Sequence, residues 1–260
     1  MAMKSLFDLT DQVAVVTGSS RGIGRAIAEN LAAQGAKVVI SSRKAGPCEE
    51  VAKAINDAGG TAVAIPCNIS HKDQCEALVS GSVKEFGRLD HMICNAASNP
   101  YYGPLGDIED EVFMKIMQNN ILSNLWLCTM AGAHIAGQGG GTMQIVSSIG
   151  GMRGNRMLGA YNISKAADMQ LVRNLAAEWG PKNIRVNAIA PGLIKTDFAR
   201  ALWENPDLLK MMESQSPLGR IGEPDDIGGV AVFLASAAGN YTTGQVLVAD
   251  GGVTVCDAVG

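Results

Sequence analysis

Histidine is scarce, with three among 260 residues, and no cluster of them accompanies the cysteines. The six cysteines, at 48, 67, 75, 94, 128 and 256, include no C-x-x-C pair. A zinc site built on such a sequence would lack its ligand spacing, so no metal is expected. There is no basic block and the net charge is −4, which argues against nucleic acid or an anionic membrane as the main partner. No apolar run reaches the roughly 18 residues needed to span a bilayer. Residues 1–11 carry Lys4 and Asp8 and no apolar signal core, which argues against export. Internal repeats, low-complexity runs and linkers are also missing. What remains is a chain of 47% apolar and 18% charged residues, long enough for one α/β domain with a full core over 1–260. Cys67, Cys94 and Cys128 fall in apolar runs and read as buried, reduced thiols, so a cytoplasmic protein is expected.

Short β-branched runs alternate with helical ones. Val13 to Thr17 reads as a buried strand that enters Gly18-Ser19-Ser20-Arg21-Gly22-Ile23-Gly24 and then a helix through Gln34. Strand, glycine-rich turn and helix in that order make a phosphate-binding element, because glycines admit a pyrophosphate and a helix N-terminus offers free N–H groups. The second strand, Lys37 to Arg43, ends where a carboxylate would hold the ribose hydroxyl of NAD. It has no carboxylate and offers Ser42 and Arg43, with Arg21 nearby, a set suited to a 2′-phosphate. NADP(H) is therefore preferred, with NAD(H) as the alternative. A helix over 46–58 leads to a strand over 61–65, then to Cys67-Asn68-Ile69, where the Asn68 amide faces an adenine position. Ser70 is expected to cap the next helix, which runs to about Phe86.

A fourth strand, Asp90 to Cys94, carries the turn Asn95-Ala96-Ala97. Residues 109–137 form a long helical pattern whose Asn119, Asn120 and Asn124 are unfavourable in a helix interior and predict a local distortion or a functional use. Later strands are expected at Met143 to Ser148, Ile184 to Ile189 (ending in Ala190-Pro191-Gly192) and Gln245 to Ala249, and later helices at 159–179 and 225–235. This alternation predicts a Rossmann-type, doubly wound parallel sheet of seven strands with helices on both faces, and a crevice at the carboxyl ends of the strands.

In the helix over 159–179, Tyr161 and Lys165 stand four apart, so both leave one face a turn apart. An ammonium beside a phenol favours its phenolate and suits it to acid–base work. Ser148, at the end of a strand, is placed to bind a carbonyl oxygen while the phenol gives up its proton. That is machinery for moving hydride to or from a carbon bearing oxygen.

Taken together, Thr17 to Gly24, Asn95-Ala96-Ala97, Ser148, Tyr161-Asn-Ile-Ser-Lys165 and Pro191-Gly192-Leu193-Ile194-Lys195-Thr196 resemble the classical short-chain dehydrogenase/reductase family from Val13 to about Val253. Two departures are Ala97, where the family usually has Gly, and Asn68, where Asp is more usual. The resemblance implies a catalytic set of Asn120, Ser148, Tyr161 and Lys165, with Asn119 as the other register for the asparagine. Tyr161 would be the proton donor or acceptor, Lys165 its partner and a hold on the nicotinamide ribose, Ser148 the group that polarises the substrate oxygen, and Asn120 the support of a water-linked relay. Ile194 and Thr196 would contact the nicotinamide carboxamide. It also implies a homotetramer packed through the helices over 109–137 and 159–179.

The expected activity is NADP(H)-dependent interconversion of a carbonyl and an alcohol, on a small-molecule substrate. Reduction of 3-oxoacyl thioesters and NAD-dependent oxidation of sugars or cyclic alcohols are the other enzymatic options. A silent dinucleotide sensor is the non-enzymatic one, and it has no need of Ser148, Tyr161 and Lys165 together. Residues 193–216, rich in apolar side chains and broken by Pro206, are expected to form a lid over the nicotinamide.

Overall fold

The computed structural model describes residues 5–256; residues 1–4, part of the N-terminal segment considered above, and 257–260 lie outside the described residues. Seven strands, β1 (Val13–Thr17), β2 (Lys37–Ser41), β3 (Thr61–Ala64), β4 (His91–Cys94), β5 (Gly141–Val146), β6 (Ile184–Pro191) and β7 (Val246–Ala249), pair in parallel in the order β3-β2-β1-β4-β5-β6-β7. Parallel neighbours require crossovers, and helices supply them. These are α1 (Gly22–Ala33), α2 (Ala45–Asp57), α3 (Lys72–Phe86), α4 (Asp110–Met117), α5 (Ser123–Gly137), α6 (Gly159–Trp179), α7 (Arg200–Trp203), α8 (Pro206–Ser214) and α9 (Pro224–Ala235).

The sheet is buried on both faces because successive strand residues point opposite ways. Ala14 and Val16 join one core with Ile27 and Leu31 of α1 and Ile227 and Leu234 of α9. Val13 and Val15 join the other with Leu78 of α3, Leu127 of α5 and Val172 of α6. The strand order reverses beside β1, between β1–β2–β3 on one side and β4–β5–β6–β7 on the other. A crevice opens at that switch, outside the carboxyl ends of β1 and β4.

Three expectations need correction. Ser148 does not end a strand: β5 stops at Val146, and Ser148 caps the 3₁₀ turn Ile149–Gly151 by accepting from the Gly150 N–H at 3.0 Å. Ser70 does not cap α3. His71 holds that position without a side-chain bond, and the Ser70 hydroxyl donates to Asn119 Oδ1 at 2.8 Å. The strand expected to end at Ile189 runs on to Pro191, because Ala190 and Pro191 pair with Val248 and Ala249 of β7. The long helical pattern of 109–137 does break, into a π turn at Gln118–Leu122 between α4 and α5, and it breaks at the asparagines.

Candidate active site

Three glycines shape the turn after β1. Gly18 and Gly22 have φ of +66° and +56°, a region that side chains disfavour. A Cβ on Gly18 would lie 2.8 Å from Asn95 Nδ2, and one on Gly24 would collide with the same atom and with the Gly18 carbonyl. Arg21, at the N-cap of α1, gives no side-chain cap to the N–H groups of the first turn. A bare helix N-terminus behind a turn with no side chains fits a dinucleotide pyrophosphate.

Asn95 ties this turn to the next one. Its Nδ2 donates to the Thr17 and Gly18 carbonyls at 2.9 and 3.2 Å, and Thr17 Oγ1 accepts from the backbone N–H groups of Asn95 and Ala96, each at 3.1 Å. Ala97 is outside the left-handed region, so its methyl group adds no backbone strain. Thr196 closes the same space from the far side, with its methyl carbon 3.2 Å from where a Gly22 Cβ would be. Between Gly22, Lys195, Thr196, Asp197 and Trp203 lies a cavity of about 380 Å³. Pro191 is buried at the end of β6, Gly192 bonds the Ala249 carbonyl at 2.9 Å, and Ile194 is buried and bridged to Gly222.

Ser20 and Ile23 are half-buried beside the turn. Past the end of β2, Ser42 is half-buried with its hydroxyl 3.1 Å from Cys48 Sγ, and Arg43 is exposed without an ion pair among the described residues. Arg21 is engaged elsewhere: its guanidinium reaches Asp197 at 3.3 Å, at the start of the segment over 193–216. Asn68 uses its Oδ1 to accept from the Ser70 N–H at 3.2 Å. Ile69 packs on the core beside it.

α6 brings Tyr161 and Lys165 beneath the crevice. Lys165 is buried, and its ammonium donates to the Val146 carbonyl at 2.9 Å and to Asp168 Oδ2 at 3.0 Å. It stands 5.7 Å from the centre of the Tyr161 ring. Burial alone would pull this ammonium down, but the charges of Asp168 and Tyr161 and the Asp168 hydrogen bond hold it above its ordinary range. Burial pushes the Asp168 carboxyl up, and Lys165 and Asn124 oppose that. Ser148 lies half-buried past the end of β5, whose carbonyl at Val146 anchors Lys165.

The asparagines explain the π turn. Asn120 Oδ1 accepts from the Ser98 N–H at 2.8 Å, and its Nδ2 donates to the Ser98 carbonyl and Ser164 Oγ, both at 3.0 Å. Asn119 bonds Ser70 and Ser98 Oγ instead, so the register falls on Asn120 as the residue facing α6. Asn124 donates to the Asn120 carbonyl at 2.6 Å and to Asp168 Oδ1 at 2.9 Å. Asp168 is the residue that sequence reasoning missed. Its signal was available, since an Asp three residues after a Lys in a helix shares that face, but burial turns the pair from surface decoration into part of the site.

Comparison with known proteins agrees with this geometry. A family model described as enoyl-(acyl carrier protein) reductase matches residues 18–254. Dehydrogenase/reductase SDR family member 4 of Bos taurus is 39% identical over 244 residues, 94% of this chain and 88% of the relative. A solved 7α-hydroxysteroid dehydrogenase complexed with NADH and 7-oxo glycochenodeoxycholic acid has a TM-score of 0.92 at 33% identity, covering 96% of this chain and 98% of that one. A gluconate 5-dehydrogenase from Burkholderia cenocepacia, in complex with NADP and tartrate, has a TM-score of 0.92 at 29% identity over the same shares. A seven-stranded parallel sheet, a glycine turn facing its switch point and this breadth of likeness place the chain in the short-chain dehydrogenase/reductase family, as an oxidoreductase acting on CH–OH groups.

Proposed function

We propose that the protein interconverts an uncharged, partly hydrophobic ketone or aldehyde and its alcohol, with NADP(H) preferred over NAD(H) and Tyr161 as general acid and base. The observation that carries the reading is the buried Lys165, whose ammonium is held by the Val146 carbonyl two residues before Ser148 and stands 5.7 Å from the centre of the Tyr161 ring. A nicotinamide held there would supply hydride in reduction and take it in oxidation. The α1 N-terminus, with Gly18, Ser20, Gly22, Ile23 and Gly24, holds the pyrophosphate. Ser42 and Arg43 would take the 2′-phosphate, Asn68 and Ile69 would border the adenine, and Asn95, Ala96 and Ala97 would contact the nucleotide. Pro191, Gly192, Ile194 and Thr196 hold the carboxamide end.

Ser148 donates to the substrate oxygen, and the Tyr161 hydroxyl gives that oxygen its proton in reduction or accepts it in oxidation. The Lys165 ammonium holds the ribose and stabilises negative charge as it develops on the phenol oxygen. Asn120 supports proton transfer by fixing the π turn. Phe198 is exposed with its ring centre 6.2 Å from that of Tyr161, which supports an apolar substrate.

Met114, Leu122 and Leu125 on the 110–137 stretch and Ile163 on α6 also expose apolar side chains, which supports packing of those helices in a homotetramer. Sedimentation velocity reads this directly. Five buried cysteines without a disulfide among the described residues support a cytoplasmic setting.

The test of the reaction is Tyr161→Phe. It should lose about 10²–10⁴-fold in turnover with NADPH on a panel of cyclohexanone, acetophenone, benzaldehyde, diacetyl and acetoacetyl-coenzyme A, while NADPH binding persists. Near-native turnover would sink the assignment.

A further inference from the structure

A buried ion pair is a poor device for stability, since the cost of taking both charges out of water offsets most of their attraction. Lys165 and Asp168 form such a pair, with side chains 2% and 0% exposed. Its surroundings suggest another use. Asp168 Oδ2 accepts from Lys165 and Oδ1 from Asn124, so both oxygens are committed. Asn124 spends its second N–H on the Asn120 carbonyl, and Asn120 Nδ2 reaches Ser164 Oγ, which donates to the Tyr161 carbonyl at 2.7 Å. The hydrogen bonds therefore run from Lys165 through α5 and the π turn and back to the backbone of Tyr161.

We propose that Asp168, held by Asn124, is a positioning residue for the reaction: it keeps the Lys165 ammonium charged and in place behind Tyr161. The proposal rests on the reading of Tyr161 as the acid–base group. The ammonium has three N–H donors. Val146 and Asp168 take two, which leaves one for the ribose or the phenol oxygen. The groups facing it are few: Asp168 and Tyr161 from α6, the Asn124 amide from α5, the Val146 carbonyl from β5, and Cys94 from β4. The Cys94 thiol stays protonated, because its hydrogen bond with Cys128 and its burial push it well above its ordinary range. Asp168 is thus the negative charge that offsets the desolvation of Lys165. Without it, the ammonium would give up its proton at lower pH, and the positive field behind the phenol would fade as pH rises.

The test is Asp168→Asn, which keeps the shape and removes the charge. Oxidation of cyclohexanol or benzyl alcohol with NADP⁺ needs the phenolate, so its rate should climb with pH. In the variant the midpoint of that climb should move up by about 1 pH unit or more. A second readout needs no cofactor: the tyrosinate ultraviolet absorbance that is lost in Tyr161→Phe should appear at higher pH in Asp168→Asn. A merely structural role would lower the melting temperature and scale the rates equally at every pH. A midpoint that stays in place or moves down in a folded, active variant overturns the proposal. Should Asp168→Asn not fold, Asn124→Ala keeps the carboxylate and removes one of its donors. It should shift both curves in the same direction by less, and unmoved curves would overturn the proposal equally. Full activity in Tyr161→Phe would instead remove the underlying reading, so the two failures are distinguishable.

Discussion

Asn95 and Gly18 are joined by a side-chain hydrogen bond: Asn95 Nδ2 donates to the Gly18 carbonyl at 3.2 Å and so fastens the turn after β4 to the turn after β1. Gly24 lies under the same atom, and even a methyl group there would be driven into Asn95 Nδ2 and the Gly18 carbonyl. Gly24→Ala should therefore distort both turns together. The expected cost is about 1–3 kcal/mol of stability, typical of overpacking, with NADPH affinity falling more steeply than the melting temperature suggests. Fluorescence titration and thermal melts on one sample decide this; unchanged affinity would mean that the turn is not the phosphate cradle.

The sequence puts Arg43 first as the cofactor selector, with Arg21 acting in the same direction, and the two have different surroundings in the structure. Arg43 is exposed and has no ion pair among the described residues, whereas Arg21 is engaged with Asp197. Arg43→Ala should raise the KM for NADPH about 10- to 100-fold, the worth of a charge-assisted contact to phosphate, and leave that for NADH little changed. Arg21→Ala should shift the ratio far less. Equal, small effects of Arg43→Ala on both cofactors would exclude it as the selector.

Much of this was legible because the turns at Gly18, Asn95 and Gly192 each follow a strand, and parallel strands bring all their carboxyl ends to one edge. Short β-branched runs such as Val13 to Thr17 have one reading in that context. The asparagines announced a distortion because Asn is a poor helix former, and the π turn at Gln118–Leu122 is where it lies. What could not be read was partner choice in three dimensions. Ser70 had the chemistry of a cap and bonds Asn119 instead, 49 residues away. Ser148 continued an apolar run, so nothing marked the end of pairing at Val146. Asp168 looked like one more charge on a long helix, because helical spacing gives a face and not its burial.

His91 sets a pH dependence of folding. It is buried in β4, with its Nδ1 2.8 Å from Thr142 Oγ1 and its Nε2 2.7 Å from Gln12 Oε1, a pattern that suits the neutral ring. Burial lowers its pKa to about 4, with Arg185 and Arg88 adding to the drop and Asp90 opposing it. The unfolded chain binds this proton near pH 6.5 and the folded one does not until about pH 4. Between those values the unfolded state holds more protons, so stability rises with pH. The contribution is complete above about pH 6.5 and is lost as pH falls toward 4, by up to about 3 kcal/mol. His91→Gln should flatten this part of the melting-temperature profile; an unchanged slope would assign it to the carboxylates.

The segment over 193–216 has the anchoring expected of a closing element and little of the packing of a fixed one. Its base is pinned where Lys195 bonds the Gly222 carbonyl at 2.8 Å and Gly222 bonds the Leu193 carbonyl at 2.9 Å. Beyond that base, α7 and α8 contain no buried residue. Phe198 is 63% exposed although its ring centre lies 6.2 Å from that of Tyr161, so apolar surface waits beside the proposed acid–base group. Arg21–Asp197 and the bond from Trp203 Nε1 to the Thr196 carbonyl, 2.8 Å, join the segment to the cofactor turn and to its own base. Few buried contacts and exposed backbone bonds mark a region that opens at low cost. A dinucleotide in the crevice would give Thr196 and Phe198 a surface to close on and exclude water before hydride transfer. Hydrogen exchange over 193–216 should therefore slow when NADPH is added to the free protein, with α9 unchanged as the internal reference. Equal protection in the two states would make the segment a fixed insertion.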